Sequence, residues 1–302
     1  MIPNGYNTIP SVTLLQALAA SSKIIRTVFY VDANAGDDTN DGLSWENSLK
    51  TLGAAIALSD TDIAADSGGW AARNQIYFKG DNNEAHKETI VTLPNKCDVI
   101  GVGSYNDRAY PIMFGAHLLA DTSMGCHFYN MGFRSLDAGG AAFTTIAGQT
   151  GLEFHGCTWI GWGTTAATYA LVALVNDYLV IDNCRFLGAY SVAAISIGAG
   201  VSQDLLIIDN HIESGAIGIK IGALTCASMR NPLIKGNSVF CKTLTVDDDS
   251  NICRLEDNKM VTEAAHTLSL ILDYNKALSI NNMITSATVT ATYPELGSIA
   301  TG

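Results

Sequence analysis

From residue 128 onward the chain repeats one short pattern of apolar and polar positions. Its clearest form is LVIDNCRF at residues 179–186, and six other stretches share its spacing. One column of the repeat holds Phe128, Phe154, Ile181, Ile207, Ile234, Leu255 and Ser279. The position five residues on holds Phe133, Trp159, Phe186, Ile212, Val239, Met260 and Ile284. Apart from Ser279 every one of these is apolar, so both columns are expected to face a core. Three residues into the repeat stand Met131, Cys157, Cys184, Asn210, Asn237, Asn258 and Asn282, a column that passes from sulfur into asparagine. Between the first column and this one lies a turn pair such as His155-Gly156, Asp182-Asn183, Lys235-Gly236 or Glu256-Asp257. Those residue types tolerate a left-handed backbone at a sharp bend.

Successive copies, counted on the third column, are 26, 27, 26, 27, 21 and 24 residues apart. Self-similarity of this period predicts a stack of coils, and the short strand-turn-strand content predicts strands rather than helix pairs. Leu171, Ile195, Ile219, Leu244 and Leu268 form a second ladder of almost the same period, with period-two alternation around it. Two ladders with one period imply one coil. An asparagine column suits its interior, because each carboxamide can donate to one neighbour and accept from another. The seven coils would rise roughly 30 Å if parallel strands stack about 4.8 Å apart.

Around this solenoid the domain organisation reads in three parts. Residues 1–27 are expected to form an arm with a short helix, capped at Ser11 or Thr13 and carrying Ile9, Val12, Leu14, Leu15 and Leu18. Residues 28–285 form the solenoid, opening on a strand at 28–32 and interrupted by a helix at about 45–58 with Leu49, Leu52 and Ile56 inward. Residues 286–302 lose the ladder and are expected to be a C-terminal cover or tail.

Several short motifs in the N-terminal part are specific. Tyr30-Val31-Asp32, the Gly36-Asp37-Asp38 turn, the stretch from Asn40 to Trp45, and the helix carrying Leu49, Lys50, Thr51, Leu52 and Ala55 resemble the opening of right-handed parallel β-helix proteins of the pectate-lyase-like superfamily. The stretch Ile100-Gly101-Val102-Gly103-Ser104, followed by Ala-rich coils with Asn turns, is similar to β-helix proteins carried on the virions of tailed bacteriophages. The resemblance implies an all-β chain, a single-stranded right-handed parallel β-helix with a short N-terminal α-helical cap. It further implies a structural or attachment component of a phage-like virion, made in the host cytoplasm and without catalytic activity. It would be a homo-oligomer, a trimer by that analogy, beside other virion proteins and with host-surface polysaccharide as a possible ligand. The alternatives are a tailspike-type polysaccharide lyase or glycoside hydrolase, and a secreted β-helix adhesin. One fold serves all of these, so the fold does not choose among them.

Composition narrows the field. Charged residues make up 15% of the 302 and hydrophobic ones 48%, which leaves a surface rich in small, uncharged side chains suited to packing against something. A net charge of −12 argues against a nucleic-acid groove, which needs clustered Lys and Arg. Seven cysteines without a Cys-x-x-Cys pair suggest reduced, buried thiols rather than a disulfide or zinc framework. The apolar run at 12–20 has no preceding Lys or Arg, so a secretion signal is not expected. No run approaches the ~20 apolar residues of a membrane span.

Polysaccharide cleavage needs carboxylates grouped on one outward face. The cluster that the repeats bring nearest to this is Asp182 and Asp209 with Arg185, His211 and Glu213. Aligning Ile181 with Ile207 sets Asp182 beside Ile208 and Asp209 beside Asn183, so the acids fall on a turn rather than a flat strand face. Trp159, Trp162, Tyr169, Tyr178 and Tyr190 could stack on sugar rings, although Trp159 belongs to an inward column and Trp162 is outward by phase. The turn with Asp37, Asp38 and Asp41 has the oxygen density of a Ca²⁺ loop without its ligand spacing. Gly101 and Gly103 lack the third glycine of a dinucleotide fingerprint, and the six His show no metal-type spacing. No catalytic, cofactor-binding or metal-ligating residue is therefore assigned.

Overall fold

A computed structural model describes residues 25–301 except 66–71, 81–85, 104–110, 136–139, 147, 162–166, 175, 199–203, 222–231, 244–252, 263–266, 271–276, 286–287 and 292–299. The arm helix expected before residue 25, Leu244 and Trp162 lie outside the described residues. The chain is a parallel β-solenoid. One sheet holds ten strands in chain sequence, from Ile25–Asp32 through Arg73–Lys79, Cys97–Val102, Cys126–Tyr129, Glu153–His155 and Val180–Asp182 to Ala277–Ile280, each pair parallel. After a sharp turn each coil enters a second sheet, as at Gly132–Arg134, Thr158–Gly161 and Arg185–Gly188. A further set of strands, His117–Leu119, Ala141–Thr145, Tyr169–Ala173 and Ala193–Ile197, pairs in the same sense beyond it. Two-residue strands Ser123–Met124, Gln149–Thr150 and Asn176–Asp177 close the coil on a third side.

The repeat columns are the register of these sheets. Phe128, Phe154, Ile181, Ile207, Ile234, Leu255 and Ser279 are partners in succession, as are Phe133, Trp159, Phe186, Ile212, Val239, Met260 and Ile284. The turn residues Asn130, Gly156, Asn183, Asp209, Gly236, Asp257 and Asn281 all take φ between 51° and 67°, which explains why Gly, Asn and Asp alone occupy that position. Inside, the early coils stack aromatic rings, Phe128 on Phe154 at 5.4 Å and Trp159 on Phe186 at 4.5 Å, and the later ones continue with Ile and Leu.

The third column is buried at every level, and its polar groups bond each other. Asn210 Nδ2 donates to Asn237 Oδ1 (2.9 Å), Asn237 Nδ2 to Asn258 Oδ1 (2.9 Å) and Asn258 Nδ2 to Asn282 Oδ1 (2.8 Å). Each Nδ2 also donates to the first-column carbonyl of the preceding coil: Ile181, Ile207 and Ile234 in turn, then Leu255 from Asn282. The thiols of Cys157 and Cys184 donate to the equivalent carbonyls, Phe128 O and Phe154 O, at 3.5 and 3.4 Å. Sulfur and carboxamide thus do one job along one column.

Among the described residues a single α-helix, Leu52–Ala64, caps the first coils, burying Leu52, Ala55, Ile56 and Ser59. It starts later and ends later than the 45–58 read from the sequence, and the reasons are local. Leu49 bridges Val31 as extended backbone, and Asp38 accepts from the amides of Lys50 and Thr51, which keeps the chain out of the helix until Thr51 caps it. The polar stretch at 59–62, past the expected end, is held in the helix by partners. Asp60 accepts from Asn95 N–H, and Asp62 pairs with Arg26 at 2.9 Å. No acid occupies the first turn of the helix; Glu88 of a later coil accepts from Leu52 and Gly53 N–H instead. Burial pushes the Glu88 carboxyl up, but bonds from His86 and these two amides outweigh it and hold it below its ordinary value. Its contribution to stability is therefore present above about pH 4.5 and lost as pH falls through the depressed value. Glu88→Gln is expected to cost about 1 kcal/mol at pH 7 through the lost charge at the helix N-terminus, read as a lower thermal midpoint.

At the C-terminal end, Thr288–Ala291 pairs in parallel with Thr267–Leu270 and Ala300–Thr301 with Met283–Thr285, so coil pairing carries on past residue 286. Among the described residues no helix is long and apolar enough to cross a membrane.

Candidate functional site: an ionic row on the first sheet

Strand alternation that points Cys126, Phe128 and Phe154 inward points their neighbours out. His127, Tyr129, Glu153 and His155 are the outward residues on two consecutive strands, with Asp98 on the coil before and Asp182 on the coil after. They form a continuous row across the coils. Arg73 Nη2 donates to Asp98 Oδ1 (2.5 Å) and to Gly125 O (3.0 Å). His127 Nδ1 stands 3.1 Å from Asp98 Oδ1 and 3.0 Å from Arg73 Nη2; because a guanidinium only donates, the proton on Nδ1 decides which of the two the ring bonds. His127 Nε2 lies 3.7 Å from Glu153 Oε1. Glu153 Oε2 lies 2.8 Å from His155 Nε2, and His155 Nδ1 lies 3.2 Å from Asp182 Oδ2. The Tyr129 ring stacks on His155 at 5.0 Å.

These groups set one another's charge. The bond from His155 holds the Glu153 carboxyl low against its partial burial, and the bond to Glu153 raises the His155 imidazole. Burial pushes Asp98 up, yet His127 and Arg73 outweigh it and leave it lowered. Tyr129 is raised by burial and by the charges of Asp98 and Glu153. Asp98 and Glu153 are thus held as carboxylates and His155 is favoured as a cation. Hydrolysis of a glycoside requires one carboxyl kept protonated near neutral pH, and the shifts of Asp98 and Glu153 run the other way.

Of the residues singled out in the sequence, Asp182 alone joins this row. Its register is as read, Asp182 pairing with Ile208, but it does not stand on a turn as expected. Asp182 ends the strand Val180–Asp182 and stands on the sheet face, the bend coming one residue later at Asn183, whereas Asp209 does sit at a left-handed turn with φ 53°. Arg185 and His211 are partners in the second sheet, past the turn, where His211 Nε2 lies 2.9 Å from Glu213 Oε1. Asp182 turns to His155 rather than toward them. Asp37, Asp38 and Asp41 spend oxygens on nearby amides, of Thr39, of Lys50 and Thr51, and of Leu43. Trp159 and Tyr190 are fully buried, Tyr190 lying over the Cα of Gly161 where a Cβ would strike its ring, so neither can meet a sugar. Tyr178 is exposed in a turn, and Tyr169 is half-buried. Compared with known proteins, the chain matches no family model, no curated protein and no solved structure.

The sequence reading missed Arg73, Asp98, His127, Tyr129, Glu153 and His155. For the four that flank Phe128 and Phe154 the signal was present: the alternation that assigns the inward column assigns its outward neighbours too. Asp98 and Arg73 lie in earlier coils whose pairing the repeat does not mark.

Proposed function

We propose that the chain is a non-catalytic structural or attachment component of a phage-like particle, built as a right-handed β-helix of the pectate-lyase-like kind and self-associating with other particle proteins around it. The observation that carries this reading is the ionic row. Its carboxylates bond basic neighbours on their own and adjoining coils, which ties successive coils together, and the carboxyls of Asp98 and Glu153 are lowered, the opposite of what a general acid needs. The resemblance of the opening motifs to virion β-helix proteins supplies the setting, and the low charge fraction suits a packed assembly. Attachment to a host-surface polysaccharide is the second reading; the half-buried Tyr129 ring, stacked on His155 in a row that also holds carboxylates, favours it, since aromatic faces and carboxylates are groups that bind sugars.

Two measurements test the proposal. Purified protein incubated with acidic and neutral bacterial polysaccharides should release no new reducing ends and no unsaturated product. The double variant Asp182→Asn with Asp209→Asn should then show the same absence of cleavage as the parent. Cleavage by the parent that the double variant lacks would replace the proposal with the enzyme reading. Mass spectrometry of particles banded in a density gradient should find the chain at a fixed ratio to the main shell protein, and its absence there would remove the particle assignment.

A further inference from the structure

We infer that the face formed by His117–Leu119, Ala141–Thr145, Tyr169–Ala173 and Ala193–Ile197 is where a second copy of this chain docks, an inference that rests on the self-association proposed above. These four strands lie side by side on consecutive coils and contain no Asp, Glu, Lys or Arg. Their one histidine, His117, is buried. The outward column runs Leu118, Thr144, Val172, Ser196, alternating larger and smaller side chains, so a second such column can interdigitate with it. At the adjoining corner Ile146 and Leu174 follow in register. Leu118, Ile146 and Leu174 are 47%, 44% and 38% exposed, a run of large apolar groups in water across three coils.

Charge selects the occupant. The chain carries −12, and the other described faces present ionised groups: the row from Asp98 to Asp182 on the first sheet, and Arg134, Arg185 and Glu213 on the second. Two copies meeting on those faces would set like charges against each other, at a cost of several kcal/mol. On the uncharged face they meet without that cost, and one patch that serves both partners is what a symmetric assembly requires. The boundaries agree with this size of patch. In the next coil Lys220 is the register partner of Ser196, and Asp121 and Asp177 lie beyond the corner.

Sedimentation velocity of the full chain at micromolar concentration, compared with Leu118→Glu/Leu174→Glu, tests the assignment. Both positions are exposed, so the circular dichroism and melting midpoint should hold while self-association weakens by roughly 100-fold or more. Val180→Glu on the ionic face is the control and should leave association intact. A parent that associates with the double variant unchanged would overturn this face alone and leave self-association standing. A monomeric parent would overturn both, and would mean that the face serves a different protein. If the double variant loses its fold, Thr144→Arg, which removes no apolar side chain, gives the same readout.

Discussion

Replacing Asn237 with leucine is expected to lower the stability of the solenoid by roughly 3 kcal/mol, because the change orphans several buried groups at once. Asn237 Oδ1 accepts from both Asn210 N (3.0 Å) and Asn210 Nδ2 (2.9 Å), and its own Nδ2 serves Ile207 O (2.9 Å). Leucine offers none of these, and the column is sealed from water at this level. Each unsatisfied buried group costs about 1–3 kcal/mol, partly offset by the apolar side chain gained. Asn237→Cys sharpens the expectation. Two coils earlier, Cys184 donates its thiol to Phe154 O as Asn237 donates to Ile207 O, so cysteine keeps that bond and should cost clearly less than leucine. Urea unfolding followed by tryptophan fluorescence measures both, with the midpoint shift compared at unchanged slope. A leucine variant within about 0.5 kcal/mol of the parent would mean that the ladder bonds contribute little beyond packing.

The repeat from residue 128 onward was legible because it obeys two independent constraints, a buried column and a turn that demands positive φ. Where both apply, as at Phe154 with Gly156 or Ile181 with Asn183, the register read from the sequence is the register of the sheets. The cap helix was legible only in its inward face. Its start depends on Asp38 and Glu88 reaching backbone amides from 13 and 35 residues away, which no local pattern encodes. The ionic row was half hidden for a different reason. A carboxylate and a histidine on neighbouring strands stand 26 to 29 residues apart in the chain, so Asp98 with His127 reads as two solvated side chains until pairing is known. Asp182 and Arg185 show the converse: only three residues apart, they are parted by the turn at Asn183 and belong to different sheets.

Between pH 6.5 and 4 the protein is expected to lose about 3 kcal/mol of stability, and His117 is the cause. The ring lies in the core between Phe133 and Phe143, at centroid distances of 6.1 and 6.0 Å. Its Nδ1 accepts from Ile90 N–H at 3.2 Å, so the neutral ring carries its proton on Nε2, an atom with no partner among the described residues. Burial disfavours the cation and takes the pKa down to about 4 from 6.5, with Glu88 opposing slightly. For a base held neutral in the folded state, the unfolded chain binds the proton first. Stability is therefore complete above pH 6.5 and falls as pH drops through the interval to 4, by about 1.4 kcal/mol per unit. The other shifted groups leave the interval from pH 6.5 to about 4.5 to His117 and overlap only the last half-unit above pH 4, where Glu256, Asp32 and Asp37 join the other lowered carboxyls. The raised His155 changes its contribution above pH 6.5, where its pairing is lost as pH rises, and the depressed Glu88, Asp98 and Glu153 change theirs below about pH 4.5. His117→Leu removes the titration and leaves Ile90 N–H without its acceptor. It should be less stable than the parent at pH 7 yet nearly flat from pH 6.5 to about 4.5, so that the two stability curves converge as pH falls. Urea midpoints taken at half-unit steps decide it. A variant that keeps the parent's slope would place the responsible proton elsewhere.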